Sequence, residues 1–232
     1  MAPRNLFSVI GLGALAVLAL PFAFAARGAG AARRFAGFQR WTGGAKAAAV
    51  QWTPELLKQL EWRRFEALCA AYFEAIDLRA EVLGAAAGSG VNIRLYQQGV
   101  EQPWILVQCQ PWNAYRIGIK PVRELLAAMT SAKVGEGVLV TAGKFTQGAR
   151  DLARQETTIS LIDGAELLAK IASLPPEKAS GLLRLVTEGD FQTPTCPACD
   201  LKMIPRKSTT HGRKFWGCRN YPSCKQTFSN TL

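Results

Sequence analysis

Acidic residues are almost absent from the two ends of this 232-residue chain. Residues 1–50 contain six basic residues and no acidic one, and residues 193–232 contain seven basic residues and a single acidic one, Asp200. The residues between them carry 15 basic and 16 acidic side chains, which excludes the middle of the chain as the source of the formal net charge of +11. The basic ends favour an anionic partner, either nucleic acid or a membrane surface.

Charged residues are also missing from Leu6–Ala26, a stretch of 21 residues. This is close to the roughly 20 residues that a helix needs to cross a bilayer. The stretch has no polar face, which argues against a buried helix of a soluble domain. Only Arg4 precedes it, whereas five basic residues follow it before residue 47. This asymmetry predicts that residues 1–26 are a single-pass anchor in the inner membrane, with a short N-terminus outside and the following domains in the cytoplasm.

A cleaved signal peptide is the alternative, since Ala23-Phe24-Ala25 fits a small-x-small cleavage site. The basic residues directly after the apolar stretch oppose export, and the later cysteines resemble metal ligands more than disulfide partners. Residues 27–50, which are rich in Ala, Gly and Arg, show no hydrophobic periodicity. They are predicted to be a basic linker that lies along the membrane or DNA, or that serves only as a topology signal.

Four of the six cysteines lie near the C-terminus, in Cys196-Pro-Ala-Cys199 and Cys218-Arg-Asn-Tyr-Pro-Ser-Cys224. A two-residue spacer lets both thiolates of a tight turn face one ion, and two such pairs complete a tetrahedral zinc site. The lone His211 is not needed as a ligand. Disulfides are the alternative, but they suit a secreted protein. Because a segment of about 40 residues has too small a core to fold by burial alone, structural Zn²⁺ is the predicted cofactor of residues 193–232.

Basic and aromatic residues alternate around these cysteines. Cations beside exposed rings suit single-stranded nucleic acid, because the charges neutralise phosphates and the rings stack on bases. The predicted nucleic-acid-binding residues are Lys202, Arg206, Lys207, Arg213, Lys214, Phe215, Trp216, Arg219, Tyr221 and Lys225.

The run Gly212–Cys218 (GRKFWGC), the run Asn220–Cys224 (NYPSC) and the first cysteine pair resemble the C-terminal zinc finger of bacterial type IA topoisomerases. In that family the finger binds DNA and has no catalytic role. The resemblance implies DNA binding by residues 193–232.

The middle of the chain alternates between helix-like and strand-like patterns. Thr53-Pro54 is typical of a helix start, and apolar residues then recur at helical spacing from Leu57 to Ile76. The order of the later elements indicates an α/β domain with a mixed sheet flanked by helices. Strands are predicted at 78–83, 91–96, 104–109, 138–141 and 158–162, and helices at 121–133, 146–155, 165–172 and, within the linker 175–192, 179–186. Cys69 and Cys109 are expected to be core residues.

Several runs in this domain resemble the Mrr family of type IV restriction endonucleases, over residues 51–174. Trp62–Leu68 (WRRFEAL) resembles the first helix of the family, Gly88–Ile93 (GSGVNI) its glycine-rich turn and metal-binding aspartate, and Leu106–Gln110 (LVQCQ) its strand with Gln or Glu, any residue, then lysine. The resemblance continues at 122–125, 138–141, 145–146 and 162–164. It implies a restriction-endonuclease-like fold with Glu66, Asn92, Gln108 and Gln110 at the site positions.

In nucleases of this fold an aspartate and a Glu or Gln hold Mg²⁺, and a lysine helps to activate the attacking water. Here the aspartate position holds Asn92 and the lysine position holds Gln110. Because Mg²⁺ usually requires a protein carboxylate, the sequence predicts a domain with the nuclease fold and weak or absent cleavage. The first hypothesis is therefore a membrane-anchored DNA-binding protein with a degenerate catalytic motif.

The second hypothesis is an active Mg²⁺-dependent endonuclease that uses displaced residues. Lys120 and Glu124, with Glu81, lie in segments that can border the same cleft; the alternative for all three is solvated surface charge. Trp112 and Tyr115, after the third strand, are candidates for lining a nucleic-acid cleft or for core packing. A third class, a protein-interaction module, fits the neutral middle domain.

Overall fold

The computed structural model describes residues 51–83, 90–110, 116–209 and 212–229. The predicted anchor (1–26), the basic linker (27–50) and the side chains of Trp112, Tyr115 and His211 lie outside the described residues. Within the described ranges, no helix has the length and hydrophobicity required to span a bilayer. All of the described residues lie in one compact unit, residues 50–232.

The helices begin at residues that satisfy their free N–H groups. The Thr53 hydroxyl accepts a hydrogen bond from the Leu56 N–H at 3.1 Å, and the Asp163 carboxylate accepts from the N–H groups of Ala165 and Glu166. The helices are α1 (Pro54–Gln59), α2 (Trp62–Ala75), α3 (Ile119–Ala132), α4 (Gln147–Gln155), α5 (Gly164–Ala172) and α6 (Pro176–Thr187).

The strands form a mixed five-stranded sheet in the order β1-β2-β3-β5-β7. The first three strands pair antiparallel, and β3, β5 and β7 pair parallel, with α3 and α4 in the crossovers. The strands of this domain are β1 (Arg79–Val82), β2 (Ile93–Tyr96), β3 (Ile105–Cys109), β4 (Arg116–Ile117), β5 (Glu136–Val140), β6 (Lys144–Phe145) and β7 (Ile159–Ile162). The predicted α/β fold class with a mixed sheet is confirmed, and each strand and helix predicted after residue 77 overlaps an observed one.

The periodic stretch that predicted one long helix from residue 54 is two helices. The chain leaves the helical conformation at Leu60, and α2 begins after Glu61, whose carboxylate accepts from the Arg63 N–H. The apolar pattern continues through the break because Leu60 and Phe65 are both buried. The short parallel pair of β4 with β6 was also not predicted from the sequence.

The core lies between the sheet and its helices. Val122, Leu125 and Met129 of α3 pack with Leu139 of β5 and Ala149 of α4, whereas α2 contacts β1, β2 and β3. Helix α6 lies within the segment predicted to be a linker and packs against α2 and α5, with Leu182 and Val186 buried. The C-terminal segment adds an antiparallel three-stranded sheet of β8 (Ile204–Lys207), β9 (Lys214–Gly217) and β10 (Thr227–Ser229).

We predict that Gly164→Ala destabilises the fold, because a Cβ at this position would lie 2.4 Å from the backbone oxygen of Ala142. Overpacking of this kind costs about 1–3 kcal/mol. Gly181→Ala is the matched control, since nothing lies within 4 Å of its Cβ position on α6 and alanine raises helix propensity. Chemical denaturation is expected to show a loss of stability for Gly164→Ala only; equal stability of the two variants would contradict the close packing.

Candidate metal centre and nucleic-acid interface

The four clustered cysteines converge on one point. Their sulfur atoms all lie within 4.8 Å of one another, and the Sγ atoms of Cys196 and Cys224 are 3.7 Å apart. A tetrahedral site with Zn–S bonds of about 2.3 Å requires neighbouring sulfurs to be about 3.8 Å apart. The donor set and its spacing therefore fit a Zn²⁺ ion held by Cys196, Cys199, Cys218 and Cys224.

The core of this C-terminal segment is built around the cysteines. Met203 is buried beside them, and the half-buried rings of Trp216 and Phe228 pack against the same cluster. The indole N–H of Trp216 is buried without a hydrogen-bond partner. Trp216, predicted as a nucleic-acid-binding residue, thus contributes to the packing around the metal ligands.

Five of the ten predicted nucleic-acid-binding residues line one open groove of about 490 Å³ on this segment. The Arg206 guanidinium lies over the ring of Tyr221 at 5.1 Å, and this ring is 59% exposed. An exposed ring beside cations can stack on a base while the cations contact phosphates. The five residues are Arg206, Lys207, Phe215, Tyr221 and Lys225.

The other predicted nucleic-acid-binding residues lie elsewhere. Arg213, Lys214 and Arg219 are exposed but do not line the groove. Lys202 turns towards the nuclease-like domain, where its ammonium group lies 3.3 Å from the Glu61 carboxylate and donates to the Thr193 carbonyl.

Glu66, the first of the four site positions implied by the nuclease resemblance, is a buried carboxyl group. Glu66 of α2 is 8% exposed, and its Oε1 accepts a hydrogen bond of 2.5 Å from the side-chain amide of Asn92. Burial raises the pKa of Glu66 to about 7, although the Asn92 hydrogen bond and the charge of Arg63 lower it. This carboxyl group is therefore only about half ionised near neutral pH.

Both polar ends of the Asn92 side chain are engaged. Its Nδ2 donates to Glu66, and its Oδ1 accepts from the backbone N–H of Cys109 at 2.6 Å. The amide thus links α2 to β3 directly. A carboxylate at this position would instead face the Glu66 carboxylate at hydrogen-bond distance, and two ionised groups that close require a cation between them.

The remaining two site positions lie on and just after β3. Gln108 is 4% exposed, and its buried Oε1 has no hydrogen-bond partner. The side chain of Gln110 is half-buried, and its backbone N–H donates to Val140. In the described part of the chain, no hydrogen bond joins either glutamine side chain to Glu66 or Asn92.

The three residues considered as displaced catalytic groups, Lys120, Glu124 and Glu81, contact residues close to them. Lys120 and Glu124 form an ion pair at 3.7 Å on the surface of α3, where the lysine side chain is 87% exposed. Glu81 accepts from the hydroxyl of Tyr96 and lies 3.9 Å from Arg94. The described contacts of these three residues do not include Glu66.

Glu66 opens onto a cleft of about 640 Å³ that the sequence did not predict, because its walls come from residues more than 100 positions apart. One wall is the start of α2 with the end of β1, and the other contains Thr195, Asp200 and Lys202 of the cysteine-rich segment. Glu61, which sequence reasoning missed, lies where the two walls meet.

Comparison with known proteins agrees with this architecture. Residues 57–171 match the Mrr-type restriction endonuclease family model, and residues 193–230 match the topoisomerase DNA-binding C4 zinc finger model. The chain thus has a region similar to each of these two families, and both resemblances predicted from the sequence are confirmed; the first region is called the Mrr-type domain below. The second segment is called the zinc ribbon below.

Two solved structures are similar to part of the chain. The MspJI restriction endonuclease in complex with a 27-mer oligonucleotide matches at 19% identity over 54% of this chain, with a TM-score of 0.37. The DNA modification-dependent restriction endonuclease AspBHI matches at 16% identity over 59%, with a TM-score of 0.42. The matches cover 32% and 39% of those proteins, respectively. No curated protein matches the chain at a significant level.

We predict that Glu66 makes the fold less stable as the pH rises from about 4.5 to about 7. Its pKa is higher in the folded state than the usual value of 4.5, so the folded chain binds more protons across this range. The full effect is on the order of 3 kcal/mol, because one pKa unit corresponds to about 1.4 kcal/mol.

Denaturation curves between pH 4 and pH 8 test this. Glu66→Gln, a neutral isostere, is expected to remove the decrease in stability with rising pH. Glu124→Gln, on the surface of α3, is expected to show the same decrease as wild type. A stability difference between wild type and Glu66→Gln that stays constant with pH would contradict the raised pKa.

Proposed function

We propose that this protein is a membrane-anchored DNA-binding protein whose Mrr-type domain binds DNA without cleaving it. The observation that carries the proposal is the Asn92 side chain, which donates to Glu66 and accepts from the Cys109 backbone. A neutral amide occupies the place where the family has a carboxylate ligand for the divalent metal ion.

The charge at this site supports the proposal. Mg²⁺ gives up its water reluctantly and is usually held by one or two ionised carboxylates. Here the described carboxyl group at the site is Glu66, whose pKa of about 7 leaves much of it protonated, and its Oε1 is already hydrogen-bonded. Gln110 in the lysine position cannot take part in proton transfer near neutral pH. The residues present therefore do not fit a catalytic Mg²⁺ ion.

DNA binding is assigned to the zinc ribbon. The four thiolates hold Zn²⁺ as a structural ion, and the groove beside them presents three cations and two aromatic rings, from Arg206, Lys207, Lys225, Phe215 and Tyr221. Positive charge attracts phosphates of any sequence, and exposed rings stack on unpaired bases. This combination favours single-stranded or locally opened DNA.

The membrane part of the proposal rests on the N-terminal sequence. An uncharged stretch at residues 6–26, followed by basic residues, suits an uncleaved anchor in the inner membrane with the DNA-binding domains in the cytoplasm. Residues 27–50 then act as a basic linker. N-terminal sequencing of the mature protein tests this: a chain that starts near Arg27 would identify a cleaved signal peptide instead.

One observation favours the second function, an active endonuclease. The buried Oε1 of Gln108 lacks a hydrogen-bond partner, and such an oxygen is a possible ligand for Mg²⁺. Together with Glu66 and with Lys120 or Glu124 as displaced catalytic groups, this Gln108 oxygen would complete the metal ligands and proton-transfer groups of a metal-dependent nuclease. We favour the first function because Glu66, the one carboxyl group among the four family site positions, has a pKa of about 7 and supplies too little charge.

We predict that the purified full-length protein binds plasmid DNA and leaves it uncut with either Mg²⁺ or Mn²⁺. Conversion of supercoiled to open-circular DNA measures nicking. Metal-dependent nicking that is lost in Glu66→Ala or Lys120→Ala would establish the endonuclease.

The matched gain-of-function variant is Asn92→Asp with Gln110→Lys, which restores the residue types of the family and is expected to bind Mn²⁺ more tightly than wild type.

DNA affinity is predicted to depend steeply on salt through the groove of the zinc ribbon. Lys207→Ala combined with Lys225→Ala removes two cations, so the slope of log affinity against log salt should fall by about 1.4 for single-stranded DNA. Fluorescence anisotropy over a range of salt concentrations measures this slope. Lys58→Ala with Lys144→Ala, which removes two exposed cations of the other domain, is the control. An equal loss of DNA affinity in both double variants would show that the groove contributes no more to DNA binding than other exposed cations.

A further inference from the structure

The zinc ribbon and the Mrr-type domain meet at one buried carboxylate, Glu61. Its side chain is 3% exposed and makes four polar contacts. Oε2 accepts from the backbone N–H groups of Arg63 at 3.3 Å and Thr195 at 3.2 Å. Oε1 accepts from the Thr195 hydroxyl at 3.1 Å and from Lys202 at 3.3 Å. One side chain thus caps helix α2 and binds the zinc ribbon.

Further contacts surround this carboxylate. The Trp62 indole N–H donates to the Thr195 carbonyl at 2.7 Å, and Arg63 forms an ion pair with Asp200. The Glu61 backbone N–H donates to the Phe191 carbonyl at 2.8 Å. The first turn of α2 is therefore bonded to the chain segment that enters the zinc ribbon.

The ribbon residues in this interface flank the turn Cys196–Cys199, which is called the first zinc knuckle here. Thr195 directly precedes Cys196, and Asp200 directly follows Cys199. The knuckle is closed by backbone hydrogen bonds from Asp200 to the Cys196 carbonyl and from Cys196 to the Leu201 carbonyl, and Thr195 forms a bridge with Lys202. The interface residues thus flank a turn whose two cysteines belong to the expected zinc site, so a bound ion would further fix the geometry of this interface.

We propose that Glu61 is a positioning residue that couples zinc binding to the Mrr-type domain. With the knuckle closed, the negative charge of Glu61 is compensated by Thr195 and Lys202, and the ribbon forms a fixed wall of the cleft that contains Glu66. When the zinc is removed the knuckle opens, and a buried carboxylate without its donors is strongly unfavourable. The first turn of α2 then loosens, and the cleft loses one wall.

This coupling does not depend on what the cleft binds, so it is tested without DNA. Hydrogen exchange followed by mass spectrometry is measured on the full-length protein with zinc bound and after removal of zinc by a chelator. In wild type, zinc removal is expected to accelerate exchange of the 62–66 amides by about tenfold or more, together with that of the zinc ribbon. Unchanged protection of residues 62–66 after zinc loss would overturn the proposal.

Variants of Glu61 separate positioning from folding. Glu61→Ala is expected to give fast exchange at residues 62–66 even with metal bound, and Glu61→Gln, which retains an acceptor oxygen, is expected to lie between Ala and wild type. Glu101→Gln, in which the replaced side chain is 97% exposed, is the matched control and should behave as wild type.

The absorption spectrum of the cobalt-substituted protein shows whether the four-thiolate site itself is intact in each variant. An intact cobalt site with increased exchange at 62–66 supports the proposal, and an intact site with wild-type exchange in Glu61→Ala contradicts it. If Glu61→Ala does not fold, Thr195→Val supplies the same comparison from the ribbon side, because it removes the hydroxyl donor to Glu61 and leaves the cysteines in place.

Discussion

A buried carboxyl group must be neutralised, paired or hydrogen-bonded, and two of them lie at the start of helix α2: Glu61 as its N-terminal cap and Glu66 in its second turn. Thr195 and Lys202 of the zinc ribbon donate hydrogen bonds to the Glu61 carboxylate. The Asn92 amide donates to Glu66, and burial raises the pKa of Glu66, so that this group is partly protonated near neutral pH. The contacts of Glu61 hold the start of α2 against the zinc ribbon. The Glu66–Asn92 contact lies at the positions that the sequence resemblance assigns to the metal site, so the same constraint bears on the architecture and on the proposed loss of cleavage.

Hydrophobic periodicity predicted most of the fold, because burial of alternate or every third to fourth residue is a local property of the chain. The strand Ile105–Cys109 is buried along its whole length and reads as a continuous apolar run. The break between α1 and α2 was not predictable in this way. It is stabilised by Glu61, whose partners lie 134 and 141 positions later in the sequence.

The candidate sites divide along the same line. Cysteine spacing was sufficient to predict that the four sulfurs converge, because cysteine pairs with these spacings are typical of a single tetrahedral site. The roles of the basic and aromatic residues depend on side-chain direction, which composition does not give. Lys202 forms an ion pair with Glu61 and Trp216 packs on the cysteines, whereas Tyr221 is exposed in the groove. The Glu66–Asn92 contact joins a helix to a strand and required the folded structure.

The Asn92 amide also joins the elements around this site through its hydrogen bonds. Two carboxyl groups at hydrogen-bond distance are stabilised by a cation or by a proton between them, so a site with neither carries an electrostatic cost. Here the amide donates to one side and accepts from the backbone of β3 on the other, which joins α2 to the sheet with no ion. Under the proposed function, these hydrogen bonds keep α2 on the sheet without a divalent ion, and zinc held by the four thiolates is a separate structural requirement of the ribbon. The ribbon that carries the four cysteines also supplies one wall of the cleft, so a domain that had lost cleavage, as we propose, would keep this wall while the ribbon is folded.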